Sequence, residues 1–224
     1  TSPVSHELLD SLLGQYVDKH GNVDYIGMSD KKSDLDRYLT LLSENAPNDE
    51  NWSQEDQLAY WVNAYNAFTL QLILDNYPLE SIKDIGSKIQ IPFVNTPWDV
   101  KFIKIGKEVY DLNNIEHNIL RKNFDEPRIH FAIVCASFSC PKLRMEAYTG
   151  DQLEQQLTEQ AQEFLRDKEK NVIPQNEIRI SKIFSWSKGD FTKKGSEIEF
   201  LNQDSEITRA VKAKVKYMDY DSRL

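Results

Sequence analysis

Between Ser53 and Pro78 lies a segment that is apolar on nearly every side, and it constrains the fold more than any other feature of the chain. At about 100° per residue, Leu58, Trp61, Val62, Tyr65, Phe68 and Leu72 line up as one stripe of a helix. Ala59, Leu70 and Leu74 make a second apolar face, and only a narrow strip near Gln57, Gln71 and Asp75 is clearly polar. Ser53 with Asp56 resembles a capping box with Asp in place of the usual Glu, and Pro78 ends the run. Such a helix must be central. Asn63 and Asn66 lie one turn apart on its second face, so their amides must be hydrogen-bonded inside the protein. They either tie down neighbouring loop backbone or line a polar site.

Other elements follow from periodicity and turn residues. Ser5 caps a helix carrying Leu8, Leu9, Leu12, Leu13, Tyr16 and Val17; Gly21-Asn22 breaks it, and 23–26 reads as extended. A helix over 30–44 turns Leu35, Tyr38, Leu39 and Leu42 inward. Gly86, Pro92 and Pro97 mark 86–99 as a loop, and Gly106-Lys107 is the turn of a hairpin. Asp111 or Asn113 caps a helix reaching Phe124; 128–135 is apolar on both faces and reads as a central strand. A helix over 150–168 buries Leu153, Leu157, Ala161, Phe164 and Leu165. Residues 177–181 and 215–218 are strands, with short helices over 182–193 and 196–213. The expected class is α+β: one domain over 1–224, its helices packed around a small, largely antiparallel sheet, with the N-terminal helical region, residues 1–50, packed on it.

Composition excludes several functions. Among 224 residues, 27 basic and 36 acidic side chains leave a net charge of −9, a poor surface for a phosphate backbone, so no nucleic-acid partner is expected. No apolar run approaches the roughly 18–20 residues that span a bilayer, so no transmembrane segment and a soluble chain are expected. There is no GxGxxG, no Walker-type Gly-Lys-Ser/Thr, no HExxH and no GxSxG, and no cofactor is called for. Trp52, Trp61, Trp98 and Trp186 read as core rather than sugar platforms, and Lys212, Lys214 and Lys216 as a solvated face. The chain starts at Thr1 without a signal-like segment; a leader or tag removed beforehand would account for that start.

Two places carry unusual chemistry. Glu116 projects into the inner stripe formed by Leu112, Ile115, Ile119, Leu120 and Phe124, with His117 at its edge. A carboxylate there needs a partner. Arg121, Arg128 or Arg144 would supply it in a buried ion pair; otherwise Glu116 orients a reacting group. The second place is Cys135-Ala136-Ser137-Phe138-Ser139-Cys140-Pro141, which holds both cysteines of the chain. They form a small disulfide, stay as inert thiols, bind zinc with His117 and His130, or supply a nucleophile. As a strand, 128–135 would point His130 and Cys135 to opposite faces, which leaves Cys140 as the candidate nucleophile.

Tyr60-Trp61-Val62-Asn63-Ala64-Tyr65-Asn66-Ala67-Phe68, Ile115-Glu116-His117-Asn118-Ile119-Leu120-Arg121, and Arg128-Ile129-His130-Phe131-Ala132 running into the cysteine segment resemble the domain-of-unknown-function family 547. Ile183-Phe184-Ser185-Trp186 with Asp190-Phe191, and Tyr217-Met218-Asp219-Tyr220-Asp221, resemble its later blocks. The chain departs from it at Tyr220-Asp221-Ser222-Arg223-Leu224, where Tyr-Asp-Trp-Ser-Leu-Asn is expected. Bacterial members look like exported proteins, which implies a periplasmic or extracellular location. Plant members join the domain to a coiled-coil segment, which implies a scaffold role, and there serine often stands at the position of Cys140. Helices around a small sheet are also similar to papain-like and transglutaminase-like hydrolases. His117 and His130 precede Cys140 here, so that likeness requires a permuted order.

Two functions are therefore expected. One is a thiol-dependent hydrolase or acyl-transfer enzyme acting on peptide or amide bonds. In it Cys140 attacks, His117 or His130 takes its proton, Glu116 orients the imidazole, and backbone N–H groups or Asn66 hold the oxyanion. The alternative is a non-catalytic binding or scaffold domain with Asn63, Asn66, Arg121, Arg144 and Glu116 in a buried polar network. A peptide or protein is the expected substrate or partner, and no metal is assigned.

Overall fold

The long helix forms and is buried along most of its length. In the computed structural model, which describes residues 1–88, 96–173, 177–203 and 213–223, it runs Gln54–Asn76. Ser53 Oγ accepts from Asp56 N at 3.0 Å, and Glu55 and Asp56 place negative charge at its N-terminus. Its interior from Leu58 to Leu74 is buried except at Gln71. Tyr77, ahead of Pro78, is extended and closes it.

In chain order the elements before it are α1 (Glu7–Tyr16), α2 (Tyr25–Ser29) and α3 (Lys32–Glu44); the long helix is α4. Leu9, Leu12 and Leu13 of α1 and Leu35, Tyr38, Leu39 and Leu42 of α3 join the same apolar core as α4. Tyr60 Oη donates to the Leu42 carbonyl at 2.7 Å, tying α4 to α3. Residues 23–26 are not simply extended. Val23 pairs with Val17 in an isolated bridge, but Asp24 caps a helical turn through Gly27 N at 2.9 Å.

After α5 (Lys83–Lys88) and a 3₁₀ turn at Pro97–Asp99 come strands β1 (Ile103–Ile105) and β2 (Glu108–Tyr110). They pair antiparallel, Ile103 opposite Tyr110, around Gly106 at φ +62°. Gly106 N donates to Ser43 O at 2.8 Å and hangs the hairpin on the end of α3. A π-helical stretch, Asn114–Leu120, then runs into α6 (Arg121–Asn123), with Asp111 Oδ1 accepting from Asn114 N at 2.6 Å. The expected loop over 86–99 thus begins inside α5 and ends in the 3₁₀ turn, while Pro92 lies outside the described residues.

The expected central strand over 128–135 is a helix instead: α7 (Ile129–Ala132), closed by Ile133 N donating to Ile129 O at 3.0 Å. A short apolar run buried on all sides satisfies a strand and a buried helical turn equally well, and only its neighbours decide. α8 (Leu153–Arg166) packs against α7 with the expected stripe inward. The expected helix over 182–193 divides into α9 (Lys182–Trp186) and α10 (Lys188–Phe191), following β3 (Glu177–Ile180). α11 (Glu197–Gln203) begins the one expected over 196–213, whose residues 204–212, with Lys212, lie outside the described residues, as does Leu224. β4 (Lys214–Tyr217) pairs with β3 in parallel, so the described strands form one antiparallel and one parallel pair within an α+β fold. Among the described residues no helix is long and apolar enough to cross a membrane.

A second, aromatic core lies behind α7. Phe131 stacks on Phe164 at 5.0 Å between centroids, and Phe184 meets Phe191 at 4.7 Å, with Phe200 beside them. Phe131 is fully buried at the centre of this group. Phe131→Ala is expected to lower the stability by about 3–5 kcal/mol, seen as a fall in the urea midpoint at constant m-value.

Candidate functional site

The two asparagines of α4 reach backbone on both sides. Asn63 Nδ2 donates to Tyr148 O at 2.7 Å while its Oδ1 accepts from Tyr148 N at 2.9 Å. Asn66 repeats the arrangement one turn on, with Ala132 O at 3.0 Å and Val134 N at 2.9 Å. Each amide satisfies one donor and one acceptor of a segment that belongs to no sheet. The Asn66 amide is thereby taken up by a carbonyl at the place where an oxyanion role would need it open. α8 does the same through two residues that are not among the candidates of the sequence. Gln160 Nε2 donates to Phe131 O at 3.1 Å, and Gln156 bonds Ala147 O at 2.9 Å and Thr149 N at 3.1 Å. The signal for them was their i, i+4 spacing beside Leu157 and Ala161.

The candidate arginines all find carboxylates other than Glu116. Arg128 engages Glu126 at 2.7 Å and Glu154 at 2.8 Å, and Arg144 engages Glu146 and Glu159. Arg121 Nε donates to Asp190 Oδ2 at 2.6 Å, and its Nη1 lies 3.0 Å from His117 Nδ1. The expected pairing of Glu116 with one of these three is therefore corrected. Glu116 sits half-buried, and its charge is felt at Tyr65, Tyr220 and His130.

His130, on α7, is buried at 5% exposure and turns its ring to α10 and the residue before it. Its Nε2 lies 2.8 Å from Asp190 Oδ2 and its Nδ1 3.4 Å from Ser187 Oγ. Burial pushes the imidazole below its ordinary value, against the opposing pull of Asp190 and Glu116. Burial alone would raise the Asp190 carboxyl, but hydrogen bonds from Arg121 and His130 outweigh it and hold the group low. A neutral ring donating from Nε2 to Asp190 then accepts at Nδ1 from the Ser187 hydroxyl. The row Ser187–His130–Asp190–Arg121–His117 joins α7 and α10 to the 114–123 segment, and Ser187 is itself buried. Ser187 and Asp190 were not site candidates in the sequence, because nothing local marks residues 57 and 60 positions away as partners of His130.

Cys135 and Cys140 form a disulfide, and no free cysteine is present among the described residues. As a nucleophile Cys140 would have to be reduced first, and zinc held by this pair would require the same. The intervening loop puts Ala136 at φ +51°. It is held by the chain's last described segment: Phe138 N donates to Arg223 O at 2.7 Å, Ser139 N to Asp221 O at 3.0 Å, and Asp221 N to Ser139 Oγ at 2.7 Å. That segment places Tyr220 Oη 3.0 Å from both sulfurs, while Cys135 N–H donates to Cys140 Sγ at 3.2 Å. The polar neighbours of the sulfurs are thus a phenol, an amide and, 3.7 Å from Cys135 Sγ, the Ser137 hydroxyl, whereas His117 and His130 bond to Arg121 and Asp190.

The loop forms one wall of an open cleft of about 1210 Å³. The buried Leu70 and Ile73 of α4 supply its floor, the neighbouring rings of Tyr25 and Tyr77 line one side, and Phe138 and Lys142 also border it. Phe138 is 53% exposed. Among the described residues, no group of three or more His, Cys, Asp or Glu is placed to hold a metal.

Residues 50–165 match the family model described as Protein of unknown function, DUF547; this is more than half of the chain, which therefore belongs to that family. The matched span runs from before α4 to near the end of α8 and includes both asparagines, Glu116, His130 and the disulfide loop. Ser187, Asp190 and Tyr220 lie beyond it. Comparison with curated proteins and with solved structures gives no match.

The titration of the site has a definite sign. An unfolded His130 takes up a proton near pH 6.5, whereas the buried ring takes it up only at lower pH. Its contribution to stability is complete above pH 6.5 and is lost as the pH falls toward the lowered value. His6, pushed down to about 4 by burial against the pull of Asp56, acts in the same direction. The urea midpoint is expected to drop from pH 7 to about pH 4, and His130→Gln to make that drop shallower.

Proposed function

We propose that this chain is a non-catalytic binding domain that takes an extended peptide segment in the cleft beside the disulfide loop. The observation that carries this reading is the cleft of about 1210 Å³, with its floor from α4 and two tyrosines on one side. Its borders hold both signs of charge, Lys142 near Glu163 and Lys170 near Asp167, as a peptide backbone with mixed side chains would suit. Of the residues with catalytic chemistry, by contrast, Cys140 is bonded to Cys135, His117 lies against Arg121 and His130 against Asp190. The disulfide supports an exported protein working in an oxidising compartment, periplasmic or extracellular. Selection from a random peptide library on the oxidised chain is expected to enrich sequences with apolar side chains. The Tyr25→Ala/Tyr77→Ala double variant should weaken the best of them about tenfold or more by fluorescence anisotropy. Unchanged affinity in that variant would sink the proposal.

A second reading has its own observation. In a reduced chain, the amide of Cys135 and the phenol of Tyr220 would favour a Cys140 thiolate. A thiol-dependent hydrolase or acyl-transfer enzyme acting on peptide or amide bonds would use that thiolate as the attacking group. His117 or His130 would serve as base and Glu116 as orienting group. The reduced chain would then release the fluorophore from peptide-amide substrates, and Cys140→Ser would not. Equal rates in the two proteins would end this reading.

A further inference from the structure

Among the bonds near the cleft, one is chemically labile and carries its own hydrogen-bond donors. We propose that the Cys135–Cys140 disulfide is a thiol–disulfide exchange site, which oxidises thiols by accepting attack at Cys135 and releasing Cys140 as the leaving thiolate. Two features of the surroundings set this polarity. Cys140 borders the cleft but is only 4% exposed, whereas Cys135 is only partly buried and is the more exposed residue of the pair. The Cys135 amide already donates to Cys140 Sγ at 3.2 Å, so negative charge developing on Cys140 meets a backbone donor, and Tyr220 Oη, 3.0 Å from both sulfurs, adds a phenol that serves either one. The phenol keeps its proton, because burial and the nearby charge of Glu116 both push its ionisation up.

The loop then holds the two sulfurs together after they part. Its backbone is bonded to Asp221 and Arg223 through Phe138, Ser139 and the Ser139 hydroxyl, none of which depends on the S–S bond. Exposed Phe138 lies on this loop beside the cleft, where an incoming chain would meet it.

The chemistry balances with a thiol as the only co-reactant. The thiolate of R–SH attacks Cys135 Sγ; the S–S bond breaks, an R–S–Cys135 bond forms, and Cys140 leaves as thiolate. A second R–SH, as thiolate, attacks the R sulfur of this mixed disulfide, giving R–S–S–R and releasing Cys135. The two thiol protons end on Cys135 and Cys140, so two thiols are oxidised and one disulfide is reduced. Small thiols and peptide cysteines share this chemistry.

The test treats the oxidised full chain with excess glutathione, and in parallel with a short peptide bearing one central cysteine. Samples are acid-quenched and the mixed disulfide is mapped by mass spectrometry. Reduction is expected to be faster in the folded chain than in urea, with the adduct on Cys135. Faster reaction of the peptide would assign protein cysteines as donors, and equal rates would assign small thiols. Tyr220→Phe, which keeps the ring against Trp186, is expected to slow the folded-state reaction about tenfold. An adduct on Cys140, or folded-state reduction no faster than in urea, would overturn the proposal. The mapping uses the wild-type chain and so does not depend on how the variant folds.

Discussion

Four hydrogen bonds from two side-chain amides hold the rest of the structure to its central helix. α4 is buried so completely that any polar atom on its surface must find a partner inside, and Asn63 and Asn66 find theirs in backbone that belongs to no sheet. Asn66 clamps Ala132, the last residue of α7, and Val134, just before the disulfide loop. Gln160 takes the preceding carbonyl, Phe131 O, from the α8 side. Where this segment without sheet partners leaves its own helical turn, side chains satisfy it, and this fixes His130 at one end of it and Cys135 at the other.

The polar network around His130 is organised by the same need. Burial keeps the imidazole neutral, Asp190 accepts its hydrogen, and Arg121 neutralises Asp190. The order of groups resembles a catalytic relay, but Ser187 at its end is buried, and the row joins three segments of the chain that are distant in sequence. Each arginine near Glu116 meets its own carboxylates, so the half-buried acid acts on its surroundings through charge, raising the phenols of Tyr65 and Tyr220 in concert with their burial. The one labile bond beside the cleft is then the Cys135–Cys140 bridge, clamped by the segment from Tyr220 to Arg223.

Much of this could be read from the chain. The cap at Ser53, the stripes of α1, α3, α4 and α8, and the hairpin at Gly106 are local consequences of spacing and turn chemistry, and each stands where the pattern put it. That Asn63 and Asn66 had to be hydrogen-bonded was also legible, because the helix has almost no wet side. Their partners were not, since Tyr148 and Ala132 lie 85 and 66 residues away. Gln156 and Gln160 could have been found by the same reasoning applied to α8.

What the sequence determined by itself is whatever depends on neighbours within a few turns: helix periods, caps, breaks, and the demand that buried polar groups be paired. Tertiary structure decided whatever depends on groups brought from afar. It made 129–132 a helix, because a short apolar run has no period of its own and takes the form its surroundings can bond. It directed Arg121 to Asp190 rather than Glu116, and it brought Tyr220 to the two sulfurs. In each case several partners were compatible with the sequence, and distance in the folded chain selected one.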